Sequence, residues 1–410
     1  MPSIGSLFNK AKKKSDARIP LRDQHPTVAP TETKIHLAYL AHAMLDALGN
    51  PLQGETRDVN RIVDEMRPHP TANRPAGVWT DDTSMMLCVS SALVTAEDPE
   101  ENRVEQMFAL RDWKDSGYLS FTGTCFDLKR QVSAAIDLFA QFTESPSYGL
   151  HIVRSNYSGT TNDVSGNASL PRVLPLAISF WREPDQARIY GKLGSEVTHP
   201  SLVCKEACSL LAFFIATILD YNSPHPHLQR DPDYRISKLT FIHECARFPF
   251  EANYLLQMLT APFGTPNRPE PDALEELEEW YFKHVPLLRL IATTQCGSTG
   301  SFPFIIPTET QLPSTEHAQD TILAAFFCFF ATKTFEEGAL MAVNLCGEAS
   351  TVGSVYAGLA GVWYAGEEGK AEKVFWTKRV REWRKALLKA DVVDAEARKM
   401  AQLAWERRNN

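Results

Sequence analysis

Apolar residues recur every three to four positions along most of this 410-residue chain, and that spacing constrains the fold more than any other feature. The first run starts near Lys34 and stops at Gly49-Asn50-Pro51, a typical helix terminator. Strand-like alternation is short and rare, and no alternation of strands with helices would build a parallel sheet. The pattern therefore predicts an all-α chain with helices at about 34–48, 82–96, 102–113, 128–142, 201–220, 252–259, 272–285, 317–332, 335–344, 350–364 and 370–407.

The helical segments on both sides of the proline-rich loops are strongly apolar and must bury one another. Although the length alone allows two or three domains, we predict a single compact multi-helix domain over residues 33–369. Residues 1–32 carry a short basic run, several prolines and few apolar residues, which is typical of a flexible tail. The basic run has a nuclear address as its alternative interpretation. Residues 370–410 predict a charged C-terminal helix packed on the domain.

The composition excludes several partners. A formal net charge of −8 provides no overall basic field for nucleic acid or anionic membranes. The longest apolar run, residues 322–331, is about half of the roughly 18 residues that span a bilayer. The 8 cysteines include no C-x-x-C pair, which favours free thiols in a reducing compartment. We expect a cytoplasmic monomer with no membrane or nucleic-acid partner.

Two adjacent carboxylates stand just before an apolar helix, in Thr80-Asp81-Asp82. Helix capping explains such residues, because acidic side chains in the first turn suit the helix dipole. Alternatively, oxygen atoms from Thr80, Asp81 and Asp82 converge on a hard cation such as Mg²⁺. The segment alone leaves both interpretations open.

A second oxygen-rich turn opens another helix, with Glu348, Ser350 and Thr351. Glycine inside a helix costs about 1 kcal/mol relative to alanine, so a helix that keeps several small residues indicates a tight central position. The small residues of this helix are Gly353, Ala357, Gly358 and Gly361.

Together the two segments resemble the ADP-ribosylglycohydrolase family, which includes dinitrogenase reductase-activating glycohydrolase. Residues 77–87 resemble the family segment G-x-W-T-D-D-T-x-M, and residues 344–361 resemble N-x-G-G-D-A-D-T-x-G-A-x-x-G-x-x-A-G. The resemblance covers roughly residues 35–366. Weaker matches follow in the family's order at 42–53, 123–127, 165–176, 198–200, 320–325 and 335–337.

The resemblance implies an all-α domain with two metal ions, usually Mg²⁺, that cleaves the N- or O-glycosidic bond joining ADP-ribose to a protein side chain or small molecule. By motif matching, Asp81, Asp82 and Glu348 would be catalytic. The implied metal ligands are Thr80, Asp81, Asp82, Glu348, Ser350 and Thr351.

The resemblance also implies a loop near the phosphates and ribose, where backbone N–H groups can bind anions. His199 falls on that side, although a histidine packed at a helix start is an equal alternative. The implied substrate-binding residues are Gln53, Val164, Ser165, Gly166, Asn167, Ala168 and His199.

The chain departs from the family at important positions. Ser350 replaces a carboxylate expected to bridge both metals, and Glu348 replaces a shorter aspartate. Gln53 stands where many members place a glutamate near the scissile bond, with Glu55 as a candidate substitute. We therefore expect one firmly held Mg²⁺, with Mn²⁺ as an alternative, and a second ion that is weak or absent. The expected function is a metal-dependent hydrolase of ADP-ribose linkages, with an altered substrate as one option. The alternatives are a catalytically degenerate protein that binds ADP-ribose and a purely structural helical protein.

Overall fold

The structure is a computed structural model, and all regular structure in its described part is helical apart from one isolated bridge between Gly166 and His317. This confirms the all-α prediction. The described residues are 20–58, 62–96, 98–157, 165–223, 235–294 and 305–409.

Short 3₁₀ turns at Leu21–Asp23, Asn50–Leu52 and Ala140–Phe142 supplement the α-helices. The α-helices within the described ranges are α1 (Thr31–Gly49), α2 (Asp81–Thr95), α3 (Pro99–Ser116), α4 (Arg130–Phe139), α5 (Pro146–Tyr157), α6 (Val173–Ser179), α7 (Pro184–Glu196), α8 (Leu202–Tyr221), α9 (Lys238–Arg247), α10 (Asn253–Leu259), α11 (Leu274–His284), α12 (Pro286–Thr294), α13 (Ala318–Ala331), α14 (Phe335–Val343), α15 (Ala349–Tyr364), α16 (Lys378–Ala386) and α17 (Ala390–Asn409).

Helices α1 and α15 form the centre of the fold and pack against each other more extensively than any other described pair. Every residue of α15 is buried. A Cβ on Gly361 would lie 2.8 Å from Cα of Ala38, and one on Gly49 would lie 2.6 Å from backbone atoms of Ala349 and Ser350. The small residues of α15 therefore allow the close contact that the sequence indicates, and Gly49 lets the end of α1 lie directly against the start of α15.

The expectation that no segment could span a membrane needs correction. Helix α8 is long and apolar enough to do so by length and composition, although 72% of its most apolar window is buried inside the protein. It packs against α7, α13 and α15, as a core helix does.

Part of the segment predicted as a tail, residues 20–30, is packed on the protein. Leu21 is 1% exposed, and its N–H donates to Oε1 of Glu278 (2.8 Å). The N–H of Thr27 donates to the carbonyl of Trp363 (2.9 Å). Residues 20–30 therefore pack on the helical core, whereas residues 1–19, with the basic run, lie outside the described residues.

The helix predicted at 370–407 is two helices, α16 and α17. The break falls at Leu387–Lys389, because Leu388 donates its N–H to the carbonyl of Gly77 (3.0 Å) and Lys389 has a φ of +50°. Helix α17 contacts α1, α2 and α6, and buries Val393, Ala397, Met400 and Ala404. Its inner face thus belongs to the main core.

Candidate functional site

Asp46, in the last turn of α1, holds the start of α2 in place. Its carboxylate is fully buried and accepts hydrogen bonds from the N–H and hydroxyl groups of both Thr80 and Thr83, at 2.6 to 3.0 Å. Burial raises the pKa of Asp46 to about 6, against the effect of these hydrogen bonds. Sequence reasoning did not select Asp46 as a site residue, although it lies in the 42–53 segment that resembles the family's opening motif.

Asp81 and Asp82 are buried, and most of their carboxylate oxygens lack a hydrogen-bond donor. They are 3% and 1% exposed, and Oδ2 of Asp81 and both carboxylate oxygens of Asp82 have no hydrogen-bond partner in the described structure. Burial raises the pKa of Asp81 to about 8, although the charge of Lys129 opposes this. Burial and the neighbouring Asp81 charge raise the pKa of Asp82 well above its ordinary value.

Helix capping accounts for only part of this segment. The hydroxyl of Thr80 caps α2 by accepting the N–H of Asp82 (3.4 Å), as the capping interpretation predicts. Capping leaves the two carboxylates unexplained, because buried charges without partners are costly. Their three oxygens without a hydrogen-bond donor, called open oxygens below, would be stabilised by a hard cation.

Glu348, just before α15, differs from Asp81 and Asp82 because one of its carboxylate oxygens accepts several hydrogen bonds. Its Oε2 accepts hydrogen bonds from Nζ of Lys129 (2.8 Å), Nδ2 of Asn167 (3.1 Å) and the hydroxyl of Thr351 (3.3 Å). Burial raises the pKa of Glu348, but the charge of Lys129 and the hydrogen bonds from Lys129, Asn167 and Gln53 outweigh burial and lower it overall.

Ser350 and Gln53 bond to each other. Oε1 of Gln53 accepts the hydroxyl of Ser350 (3.0 Å) and its N–H (3.3 Å). The loop after Gln53 is fixed by two backbone hydrogen bonds, from Gly54 to the carbonyl of Gly347 (2.7 Å) and from Gly347 to that of Glu55 (3.0 Å). Glu55 itself is exposed and lines a different cavity, so it does not take the place of Gln53.

Lys129 is a second site residue that sequence reasoning missed. It immediately precedes α4, and its side chain is 25% exposed. The charges of Glu348, Asp81 and Asp82 raise its pKa, although burial opposes them. Its only sequence signal is its position two residues after the matched segment 123–127, which does not reveal where the side chain points.

The loop at Ser165–Ala168 runs beside the start of α13. The N–H of Asn167 donates to the carbonyl of Glu316, and the N–H of Ala318 donates to the carbonyl of Ser165, both at 2.8 Å. Because the N–H of Asn167 is used in this way, it does not contribute to the anion binding that the resemblance implies for the backbone of this loop. Val164 lies outside the described residues.

A cavity of about 90 Å³ opens between this loop and His199. Ligand pockets usually measure about 300 to 1,000 Å³, so this cavity can take one group of a larger ligand. His199 is buried, and its Nδ1 bonds to the hydroxyl of Thr198 (2.7 Å), which also accepts a hydrogen bond from Arg172. The lining residues are Lys129, Arg130, Gln131, Gly166, Asn167, Ala168, His199, Glu316 and His317.

The two segments that carry the predicted metal ligands both contact the end of α1, but their side chains are not equally available. Asp81 and Asp82 offer open oxygens, whereas Oε2 of Glu348 is occupied by three donors and Ser350 is neutral. In the described part of the chain, no group of three or more His, Cys, Asp or Glu side chains is arranged to hold a metal ion. The residues therefore fit one cation at Asp81 and Asp82, and they do not fit the two-ion cluster that the resemblance implies.

Comparisons with known proteins agree with this architecture. The family model described as ADP-ribosylglycohydrolase matches residues 27–409. The ADP-ribosylarginine hydrolase Tri1 of Pseudomonas putida (strain GB-1) is 25% identical over 356 residues, which are 84% of this chain and 75% of that protein. The protein of the same name from Serratia proteamaculans (strain 568) is 26% identical over 188 residues, 45% of this chain and 47% of that protein.

A solved structure titled ADP-ribosylglycohydrolase-related protein complex superposes with a TM-score of 0.55 at 23% identity, covering 91% of this chain and 99% of that chain, and so shares the fold. The family match extends over almost the whole described helical domain and includes both acidic segments. This chain belongs to the ADP-ribosylglycohydrolase family.

Proposed function

We propose that this chain hydrolyses the glycosidic bond that joins ADP-ribose to another molecule, with the arginine side chain as the first substrate class. Family membership supports the class of bond, and the names of the two Tri1 relatives support arginine. The observation that carries the proposal is the set of open, buried oxygens on Asp81 and Asp82, in a site whose Glu348 bonds to the loop residue Asn167.

The site would use one divalent ion, Mg²⁺ or alternatively Mn²⁺, held by Asp81 and Asp82 with the hydroxyl oxygen of Thr80. When bound, the ion would neutralise the two carboxylates and supply Lewis acidity toward oxygen atoms. The hydroxyl of Thr80 suits this role because it donates its proton to Asp46 (2.7 Å), which leaves lone-pair density on the oxygen.

The chain's own residues would hold the proton that the reaction moves. The overall reaction adds water across the bond at ribose C1: the water oxygen ends on C1, and a water proton ends on the leaving nitrogen or oxygen. An oxygen of Asp81 or Asp82 that does not contact the ion can hold this proton in transit. Glu348 is poorly suited to do so, because Lys129 and Asn167 already donate to it.

The test is release of free ADP-ribose, measured by chromatography, from arginine-, serine- and acetyl-linked substrates in the presence of Mg²⁺ or Mn²⁺. We expect release from the arginine-linked substrate, and its loss in Asp81→Asn. Asp137→Asn is the matched control, because Asp137 pairs with Lys114 at the surface. No release from any substrate, or full activity of Asp81→Asn, would contradict the proposal.

A second candidate function is ADP-ribose binding without hydrolysis. It is favoured by the hydrogen bonds between Ser350 and Gln53 and by the pairing of Glu348 with Lys129, which together leave this half of the site closed. Titration calorimetry with ADP-ribose separates the two functions. Binding of ADP-ribose with no release in the turnover assay selects the second candidate.

A further inference from the structure

We propose that Lys129 is a built-in cation that takes the place of a second divalent ion in this site. The inference rests on the proposed function only in assuming that one divalent ion binds at Asp81 and Asp82. It concerns the number of ions that the site holds, and this number can be measured without any substrate.

The first support is the geometry at Glu348. Nζ of Lys129 lies 2.8 Å from Oε2, and Asn167 and Thr351 donate to the same oxygen. Three donors saturate this oxygen, so a metal ion could bind to Oε2 only by displacing one of them, and Lys129 is the donor at the shortest distance. The Glu348 side chain is 14% exposed and that of Lys129 is 25% exposed, so water screens their attraction only in part.

The second support is the charge balance. The Glu348 carboxylate and the Lys129 ammonium form a pair with no net charge. The Asp46 carboxylate is stabilised by four hydrogen bonds, so Asp81 and Asp82, when ionised, leave two negative charges without donors, which equal the charge of one divalent ion. A second ion would leave an excess of positive charge among buried groups, where like charges repel strongly.

The third support is the neutral Ser350. It contributes a hydroxyl whose proton is donated to Gln53 (3.0 Å), so it brings no charge that would hold a second cation. Lys129 and Ser350 are therefore complementary: the ammonium makes a second ion unnecessary, and the serine omits the carboxylate that would bind it.

The experiment counts Mn²⁺ ions bound to the metal-stripped full chain, by equilibrium dialysis with electron paramagnetic resonance of the free ion. We expect one ion per wild-type chain and two for the double variant Lys129→Met, Ser350→Asp. Two ions bound by the wild type would overturn the inference. So would one ion bound by the double variant with an unchanged Kd.

Single variants guard against a double variant that does not fold. Lys129→Met alone removes the nearby positive charge, so we expect Asp81 and Asp82 to bind Mn²⁺ about tenfold more tightly. If the Lys129–Glu348 ion pair has only a structural role, Lys129→Met should bind Mn²⁺ as tightly as the wild type or more weakly. That result would overturn the inference. Lys129→Arg keeps the charge and should keep the wild-type Kd.

Lys205→Met is the matched control, because Lys205 is 18% exposed and pairs with the buried Glu196 outside the site. Its Kd for Mn²⁺ should equal that of the wild type. Release of ADP-ribose is measured separately, so a chain that binds one ion without hydrolysis supports this inference while contradicting the proposed function. A wild type that binds no Mn²⁺ overturns the inference.

Discussion

Asp81 and Asp82 begin α2, Glu348 immediately precedes α15, and the two acidic segments meet at the end of α1, yet their charges are balanced in different ways. The carboxylates of Asp81 and Asp82 are buried with three open oxygens. Glu348 is half-buried with three donors on one oxygen, including an ammonium. Acidic residues at a helix N-terminus can thus serve either a ligand or the protein's own packing. Their hydrogen-bond donors and nearby charges distinguish the two roles.

The largest expected effect is that of Asp82→Asn. Loss of an oxygen that contacts the reacting groups or their cation should reduce the rate of ADP-ribose release by about a hundredfold or more. The melting temperature of the metal-free protein should rise, because the change removes a buried carboxylate beside Asp81. Turnover and thermal melting of the same preparations test both parts. A melting temperature lower than that of the wild type would show that the Asp82 carboxylate stabilises the metal-free fold, which would contradict the prediction.

The next effect is the pH dependence of the metal-free protein. Burial raises the folded-state pKa of Asp81 to about 8, above its ordinary value of 3.8, so its contribution to stability is present below pH 4 and lost as the pH rises toward 8. The free energy of unfolding should fall by about 1.4 kcal/mol per pH unit over this window.

Denaturant unfolding from pH 6.5 to 8 measures this slope as the difference between wild type and Asp81→Asn. The window starts at 6.5 because burial lowers the pKa of His42 to about 3, which gives an opposite slope at lower pH. Excess Mg²⁺ should flatten the wild-type curve. Equal slopes for wild type and Asp81→Asn would contradict the prediction.

A smaller effect, opposite in sign to that of Asp82→Asn on stability, is expected for Glu348→Gln. It leaves the Lys129 ammonium without its anionic partner and should lower the free energy of unfolding by about 1 to 3 kcal/mol. Denaturant unfolding measures this change. The double variant Glu348→Gln, Lys129→Met should recover part of the loss, since both charges are removed. If Glu348→Gln is instead more stable than the wild type, the Glu348 carboxylate destabilises the fold as those of Asp81 and Asp82 do, and the two acidic segments do not differ.

Much of the fold can be predicted from the sequence because the central helices are long and apolar. Helices α1, α2, α8, α13 and α15 follow the predicted segments closely. Helices α5, α6, α7, α9 and α12 were not predicted. They are short or begin at proline. Helix α7 also contains Gly191, where an added Cβ would lie 2.6 Å from the carbonyl oxygen of Cys208. Such helices depend on tertiary packing more than on their own periodicity.

The candidate site was predicted only where residue types in a motif carry the signal. The motifs identified Thr80, Asp81, Asp82, Glu348 and Thr351, and they marked Ser350 as a departure. They could not identify Lys129, because its contact with Glu348 joins residues 219 positions apart and depends on how the folded chain brings the start of α4 to the start of α15. Asp46 was missed for a similar reason: its hydrogen bonds to the start of α2 are visible only in the folded chain.

The smallest expected effect concerns Ser350, whose replacement of a carboxylate is the clearest departure in the sequence. Ser350→Ala removes one hydroxyl hydrogen bond to Gln53 and leaves the backbone bond from the N–H of residue 350 in place. The free energy of unfolding should fall by about 0.5 to 1.5 kcal/mol, and the Kd of the protein for Mn²⁺ should not change. The matched variant Thr80→Val removes the hydroxyl that bonds Asp46 and faces the open carboxylates, so it should weaken Mn²⁺ binding as well as stability. If Ser350→Ala weakens Mn²⁺ binding as much as Thr80→Val does, the serine hydroxyl is a ligand, and the ion is shared between the two acidic segments rather than held by one.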